Sequence, residues 1–485
     1  MDENELHAIA TKSVKGVFAL VSRSFLIQLL GVASSVVLTL YLEPETFGTF
    51  FVVSSIIVFF NYFQDIGLAA SLIQKKEEPT KTDLRTVFTI QQALVLCLVV
   101  PAILLSGNLA SFYKLGESGH ILLVVLLISF FLTSLRTIPT IILERKLDYN
   151  RLVVPQVLEN ITYNATLVIC AISGLGVTSF ILAVLFRSIV GLVATYGVQS
   201  WPIGLGFDKK SFKSLISFGI PFQTNSILAL FKDDFLTIFL GGLLPKAQLG
   251  YIGFAQRVAY LPLRLVMDNI IKITFPSFAR LQDDRAALKI AIEKSIFLIA
   301  FAIFPVAAGI IAYSPYLIDF IPRYHKWEPA IMSIMFFSLG SVISSVSTPL
   351  TNFLNAIGKV KVTLYFMIFW TIMIWGTTLI LIPLMGYNGV AAASFAVALT
   401  SVGVFFVARR YVEFSAISTT YKQFLAAILM FGFSYVTSVF VTSFLMMVIF
   451  GILSLGVYAG AMFFMAREEL TKTLVFVVKA IRAKK

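Results

Sequence analysis

Fourteen apolar stretches, each near the length of a bilayer-crossing helix, are separated by short polar segments along this chain of 485 residues. A spanning α-helix needs about 20 mostly apolar residues, because each residue rises about 1.5 Å through a hydrocarbon layer about 30 Å thick. The pattern predicts spans at 17–40, 47–73, 84–106, 120–143, 153–174, 178–200, 217–244, 248–275, 293–313, 330–356, 361–382, 387–408, 421–441 and 443–465. The second and eighth are long enough to tilt or to reach beyond the bilayer. The longest hydrophilic stretch, 280–294, reads as a short amphipathic connector, so no soluble domain is expected.

The pattern also repeats. Leu42-Glu43-Pro44-Glu45-Thr46-Phe47-Gly48 joins the first two spans, and Leu243-Leu244-Pro245-Lys246-Ala247-Gln248-Leu249-Gly250 joins the seventh and eighth. Asp65 follows the first of these turns at nearly the distance at which Asp268 follows the second. Gly174-Leu175-Gly176 precedes span six and Gly386-Tyr387-Asn388-Gly389 precedes span twelve. Six spans is an even number, so the repeats share one orientation and imply an axis along the membrane normal. The expected fold is an all-α polytopic membrane protein of about 14 transmembrane helices. Two six-helix lobes, 1–205 and 206–412, surround a central cavity, and 413–485 adds two helices and a basic tail.

Composition agrees with lipid as the surrounding solvent. Hydrophobic residues make up 58% of the chain and charged residues 13%, with a mean hydropathy of +0.91; soluble domains average about 25% charged. The acidic start, Met1-Asp2-Glu3-Asn4-Glu5, lacks the basic region of a signal peptide, so the first helix is expected to act as its own insertion signal. Cys97 and Cys170 lie in apolar runs and are expected to be small core residues. His7, His120 and His325 are scattered without partners at ligand spacing, so neither a metal nor a cofactor is expected.

The net charge of +13 is explained by where the cations fall. One set of alternate loops and both termini hold 27 of the 38 Lys and Arg residues, the opposite loops hold four, and seven lie inside spans. That asymmetry places both termini in the cytoplasm, with an even number of crossings. The charge orients the chain in the membrane, and nucleic acid is not an expected partner.

A charge at mid-bilayer costs at least about 2.5 kcal/mol on insertion scales, so each buried charge raises a question of function. The basic set is Arg23, Arg136, Arg187, Lys232, Arg257, Arg264 and Lys272; the acidic set is Asp65, Glu159, Asp233, Asp234 and Asp268. Lys272 is expected to snorkel to the inner headgroups. Asp65 and Asp268 are expected to tie their helices to neighbours. Glu159 with Asn160 reads either as an interhelical hydrogen-bonding pair or as an ion site, and Lys232 with Asp233 or Asp234 as a neutralised pair or a working one. The five arginines outnumber the acids at their depths and cannot deprotonate to escape burial. They need water or an anion, and guanidinium groups bind phosphate in bidentate fashion. Arg136, Arg187, Lys232, Arg257 and Arg264, with Arg23, are therefore the expected substrate-binding set; Glu159, Asp233 and Asp234 are the expected ion-coupling set. No P-loop, G-x-S-x-G or H-E-x-x-H appears, so the chain is expected to be a transporter rather than an enzyme or ATPase. A non-transporting scaffold would have no use for mid-bilayer arginines.

Six motifs in order carry a resemblance. Leu42-Glu43-Pro44-Glu45-Thr46-Phe47-Gly48, Asp65-Ile66-Gly67-Leu68 and Leu143-Glu144-Arg145-Lys146-Leu147 lie in the first half. Ser217-Phe218-Gly219-Ile220-Pro221 with the later Leu249-Gly250-Tyr251, Asn355-Ala356-Ile357-Gly358-Lys359 and Pro383-Leu384-Met385-Gly386-Tyr387-Asn388-Gly389 lie in the second. Together they resemble Wzx-like polysaccharide flippases, in the polysaccharide transporter branch of the multidrug/oligosaccharidyl-lipid/polysaccharide superfamily. The resemblance implies movement of an undecaprenyl-diphosphate-linked oligosaccharide to the outer leaflet of the inner membrane, by alternating access driven by protons or sodium. It also implies work beside a polysaccharide polymerase and other assembly proteins. The lipid II flippase and the drug/cation antiporter branches of the same superfamily are the alternatives.

Overall fold

The computed structural model describes residues 27–64, 67–75, 77–146 and 148–469. Within helices, the side chains of residues 74, 214, 217–229, 233, 268–269 and 272–273 fall outside that description. Among the described residues the regular elements are all helices: α1 (Ile27–Tyr41), α2 (Pro44–Asn61), α3 (Leu68–Gln74), α4 (Lys81–Leu104), α5 (Ser106–Phe112), α6 (Gly116–Ser134), α7 (Thr137–Arg145), α8 (Tyr149–Ile172), α9 (Val177–Val198), α10 (Lys209–Leu243), α11 (Lys246–Arg280), α12 (Arg285–Phe320), α13 (Ile331–Ala356), α14 (Val360–Met385), α15 (Asn388–Thr400), α16 (Val402–Arg409), α17 (Ala416–Thr437) and α18 (Phe444–Met465). A helix, whole or broken, lies at each expected span. Among the described residues ten helical stretches, one of them α15 and α16 together, are long and apolar enough to cross a membrane.

Helix starts follow local chemistry. Thr80 and Asp83 form a reciprocal capping box at α4, while Asp148, Asp208, Asp284, Ser415 and Ser443 accept backbone N–H donors at α8, α10, α12, α17 and α18. Each satisfies one of the donors that a first helical turn leaves without an intrahelical partner.

Four expectations change. Span 47–73 is not one long helix: α2 ends at Asn61, and Gly67, with φ of 77°, starts α3. A left-handed residue cannot continue a right-handed helix, and glycine takes that conformation without a Cβ penalty. Span 120–143 breaks between α6 and α7. Pro139 has no N–H to give to the carbonyl of Leu135 four residues back, and the Tyr196 hydroxyl donates to that carbonyl instead at 2.9 Å. The 280–294 connector is also shorter than expected, because α12 begins at Arg285 behind its Asp284 cap. Of the two cysteines, Cys170 is buried as expected but Cys97 is exposed. It shares its α4 face with exposed Leu96, Val100 and Leu104, the surface an apolar thiol suits as well as a core.

The chain forms two compact units, Met1–Gly250 and Tyr251–Lys485. In the first, α8 and α9 pack along their lengths, α9 also packs on α6, and α10 packs against α2, α3 and α4. Trp201, in the segment before α10, is buried edge-on against Phe88 at 5.1 Å, in a cluster with Leu68, Leu72, Ile138 and Leu215. The same segment is fastened to α4 by Gly206 N–H donating to Thr89 and Asp208 N–H to Thr86, at 2.9 and 3.0 Å. In the second unit α12 is the central helix, packed on α13, α17 and α18. The last two helices dock there through the Tyr458 hydroxyl, which donates to the Phe301 carbonyl at 3.0 Å, and through a Tyr313–Ser454 hydroxyl contact at 2.8 Å.

Candidate functional site

Helix α8 shows how this chain separates lipid from polar interior. Val154, Leu158, Ile161, Ile169 and Ile172 are exposed and share one face. Gln156, Glu159, Asn160, Tyr163 and Asn164 recur at spacings of three and four, which puts them on the opposite face. Glu159 is buried there at 5% exposure.

Two arginines converge on that carboxylate. Arg136 stands at the break before α7 and donates from Nη1 to Glu159 Oε2 at 2.5 Å. Arg187 on α9 brings Nε to 4.0 Å from the same oxygen, and its guanidinium lies over the Tyr163 ring at 5.5 Å. The Arg136 side chain is 17% exposed and that of Arg187 44%, so the first is committed to Glu159 while the second also presents itself outward. Gly191, one turn beyond Arg187, makes the space. A Cβ there would lie 2.5 Å from Arg136 Nη1 and 2.7 Å from Glu159 Oε2. Within this trio two guanidinium groups face one carboxylate.

A cavity of about 290 Å³ adjoins the cluster. Its polar lining includes Arg136, Glu159, Thr137, Thr140, Gln156 and Glu144. Burial pushes the Glu144 carboxyl above its usual range. Next to it, Arg145 turns away and donates to the carbonyls of Leu72 at 2.5 Å, Ile73 at 3.0 Å, Lys75 at 2.8 Å and Glu77 at 2.9 Å. It thereby satisfies the last carbonyls of α3, whose Ala69 and Ile73 also line the cavity.

The other expected site residues are placed as follows. Arg257 and Arg264 share the exposed side of α11, opposite buried Ile252, Ala255 and Ala259. The helix runs through Pro262 and Pro276 without ending. Lys232 and Asp234 are half-buried on α10. Arg23 and Asp65 lie outside the described residues, as do the side chains of Asp233, Asp268 and Lys272.

Charge alone missed several residues. Gly191, Tyr163 and Gln156 belong to the cluster, and the three-four spacing of polar residues on α8 was the signal that could have found the last two. In the second unit, the C-terminal half of α13 (Ile331–Ala356) reverses the lipid pattern. Leu350, Phe353 and Leu354 are fully buried, whereas Ser344, Thr348, Thr351 and Asn352 share the half-exposed face. The hydroxyl donors of Thr348 and Thr351 are spent on their own helix, on Ser344 O at 2.7 Å and Thr348 O at 2.8 Å, as is one of the two N–H donors of Asn352, on Thr348 O at 3.1 Å. What they present outward is mainly acceptors. A face in contact with lipid tails has no use for these groups.

A family model described as polysaccharide biosynthesis protein matches residues 37–332. The chain is 24% identical over 347 residues to the lipopolysaccharide biosynthesis protein WzxC of Escherichia coli (strain K12), covering 70% of this chain and 69% of that one. It is 21% identical over 250 residues to the succinoglycan biosynthesis transport protein ExoT of Rhizobium meliloti (strain 1021), covering 51% and 50%. In fold it is similar to the lipid II flippase MurJ in an inward closed conformation, with a TM-score of 0.74 at 16% identity over 94% of this chain and 100% of that one. An inward-facing multidrug resistance transporter of the MATE family gives a TM-score of 0.64 at 16% identity, over 79% and 94%.

Proposed function

Because this chain belongs to the polysaccharide biosynthesis protein family, we propose that it is a flippase carrying an undecaprenyl-diphosphate-linked oligosaccharide from the inner to the outer leaflet. The observation that carries this reading is the Arg136–Glu159–Arg187 cluster. Two arginines on membrane helices share one carboxylate, and Arg187 keeps an exposed face. Two guanidinium groups to one carboxylate suit a lipid diphosphate, whereas a drug-cation site would need an excess of acid. Arg257 and Arg264, on the exposed side of α11, and Lys232, half-buried on α10, are the further basic residues of the expected set. The acceptor-rich face of α13 suits sugar hydroxyl groups.

In this reading the loops richest in Lys and Arg face the cytoplasm, both termini are cytoplasmic, and the membrane is the inner one. The lobes 1–205 and 206–412 work by alternating access. Glu159, Asp233 and Asp234 are the acids placed to bind a coupling ion, a proton or sodium. A polysaccharide polymerase and other assembly proteins take over the product, and the chain performs no bond chemistry itself.

The test is export of surface glycan by a cell in which this chain is the sole flippase for its lipid-linked precursor. The Arg257→Ala/Arg264→Ala variant should lose export and accumulate the precursor inside, at unchanged protein abundance. Normal export by that variant would sink the assignment.

A further inference from the structure

Glu159 and an anionic ligand want the same two guanidinium groups. In the structure a single oxygen of Glu159 faces both Arg136 Nη1 at 2.5 Å and Arg187 Nε at 4.0 Å. A phosphate oxygen reaching Arg187 from its exposed face would arrive as a second anion sharing the guanidinium groups that Glu159 already engages. Two anions on one pair of cations repel each other. The repulsion is relieved when the carboxyl takes up a proton.

That proton has a route. The cavity of about 290 Å³ reaches Glu159 directly and has room for several waters at about 30 Å³ each. Thr137, Thr140 and Glu144 line it at spacings of three and four along α7. Glu144 lies at the α7–α8 connection, on the side that the Lys and Arg distribution assigns to the cytoplasm. Among the described residues the charged and titratable groups around Glu159 are these. Arg136 comes from the break before α7 and Glu144, across the cavity, from α7; Arg187 comes from α9; and Tyr163 lies one turn along α8. Arg145 is held by the α3 carbonyls and faces away.

We propose that anion binding at Arg136 and Arg187 is coupled to proton uptake by Glu159, with the Glu144-lined cavity as the path for that proton. This rests on the reading of the ligand as a lipid diphosphate and gives that site a regulation. The sign follows from linkage: if the bound state holds one more proton, binding tightens as pH falls. Proton and anion then occupy the cluster together. An exchange of protons for lipid needs the opposite sign, so an exchanging acid would have to be one other than Glu159.

The experiment uses the full-length protein in nanodiscs with undecaprenyl diphosphate, without sugar, as the probe. Its affinity is measured from about pH 8 to about pH 5.5, a range wide enough to reveal a proton-linked slope. Protons taken up per lipid are counted by calorimetry in two buffers of different ionisation enthalpy. Wild-type protein should bind about tenfold more tightly at the acidic end, the effect of one charge contact, with net proton uptake. Glu159→Gln should lose that slope, leaving only the probe's own titration, which is common to both proteins. Glu144→Gln should keep the slope but delay the response to a pH jump. Equal slopes in wild type and Glu159→Gln would overturn the proposal. If Glu159→Gln does not fold, the wild-type proton count decides, and zero uptake or release overturns it. Absence of wild-type binding at every pH would instead sink the lipid-diphosphate reading, and the coupling with it.

Discussion

Gly48 and Gly250 pack backbone against backbone. A Cβ on Gly48 would lie 1.8 Å from the carbonyl oxygen of Lys246, and one on Gly250 would lie 1.9 Å from that of Pro44. The two residues occupy equivalent places in the repeated turns, so each turn receives the other reciprocally. Both Gly48→Ala and Gly250→Ala should therefore force the turns apart, because the obstacle is backbone that cannot rotate away. We expect each to cost about 3 kcal/mol or more, read as a fall in the melting temperature of the purified protein. An unchanged melting temperature in both would show that the turns do not stay in contact.

The Arg136–Glu159 pair and Arg187 should separate stability from transport. Glu159→Ala leaves Arg136 buried without its anion and should cost about 3–5 kcal/mol. Removing Arg136 as well should recover part of that loss, which a double-mutant cycle measures. Arg187→Ala should cost less than about 1 kcal/mol, since its pairing is long and half-exposed, while glycan export drops strongly. Equal stability losses for Glu159→Ala and Arg187→Ala would contradict this division.

Arg145 tests whether its fork or its charge matters. Lysine keeps the charge but cannot reach four carbonyls from one planar group. Arg145→Lys should raise amide hydrogen exchange across α3 and the following residues to 77, with a loss of about 1–2 kcal/mol. Unaltered exchange there would mean that α3 is held by its packing on Ile138 and Leu215 alone.

The face of α13 can be assigned by the sign of a stability change. Thr348→Val/Asn352→Leu should stabilise the protein if lipid covers that face, since apolar side chains are favoured in hydrocarbon. We expect no stabilisation, together with reduced export at normal abundance. A raised melting temperature with full export would place the face in lipid.

Much of this fold was legible in the sequence because lipid imposes a strict rule. Each crossing segment must be apolar and must satisfy its own backbone, so helices are nearly obligatory and their positions follow from hydropathy. The repeated L-x-P turns were legible too, and so were the positions of the charged residues that interrupt the apolar stretches. Tertiary structure decided where helices break and which charges meet. The α6–α7 break depends on Pro139, and Tyr196 supplies the hydroxyl for the carbonyl left over; the two are 57 positions apart. Glu159 and its two arginines come from α8, from α9 and from the break before α7, and the absent side chain of Gly191 leaves the room in which they meet at one oxygen. Hydropathy is a property of each segment alone, whereas a charge pair is a property of the space between segments.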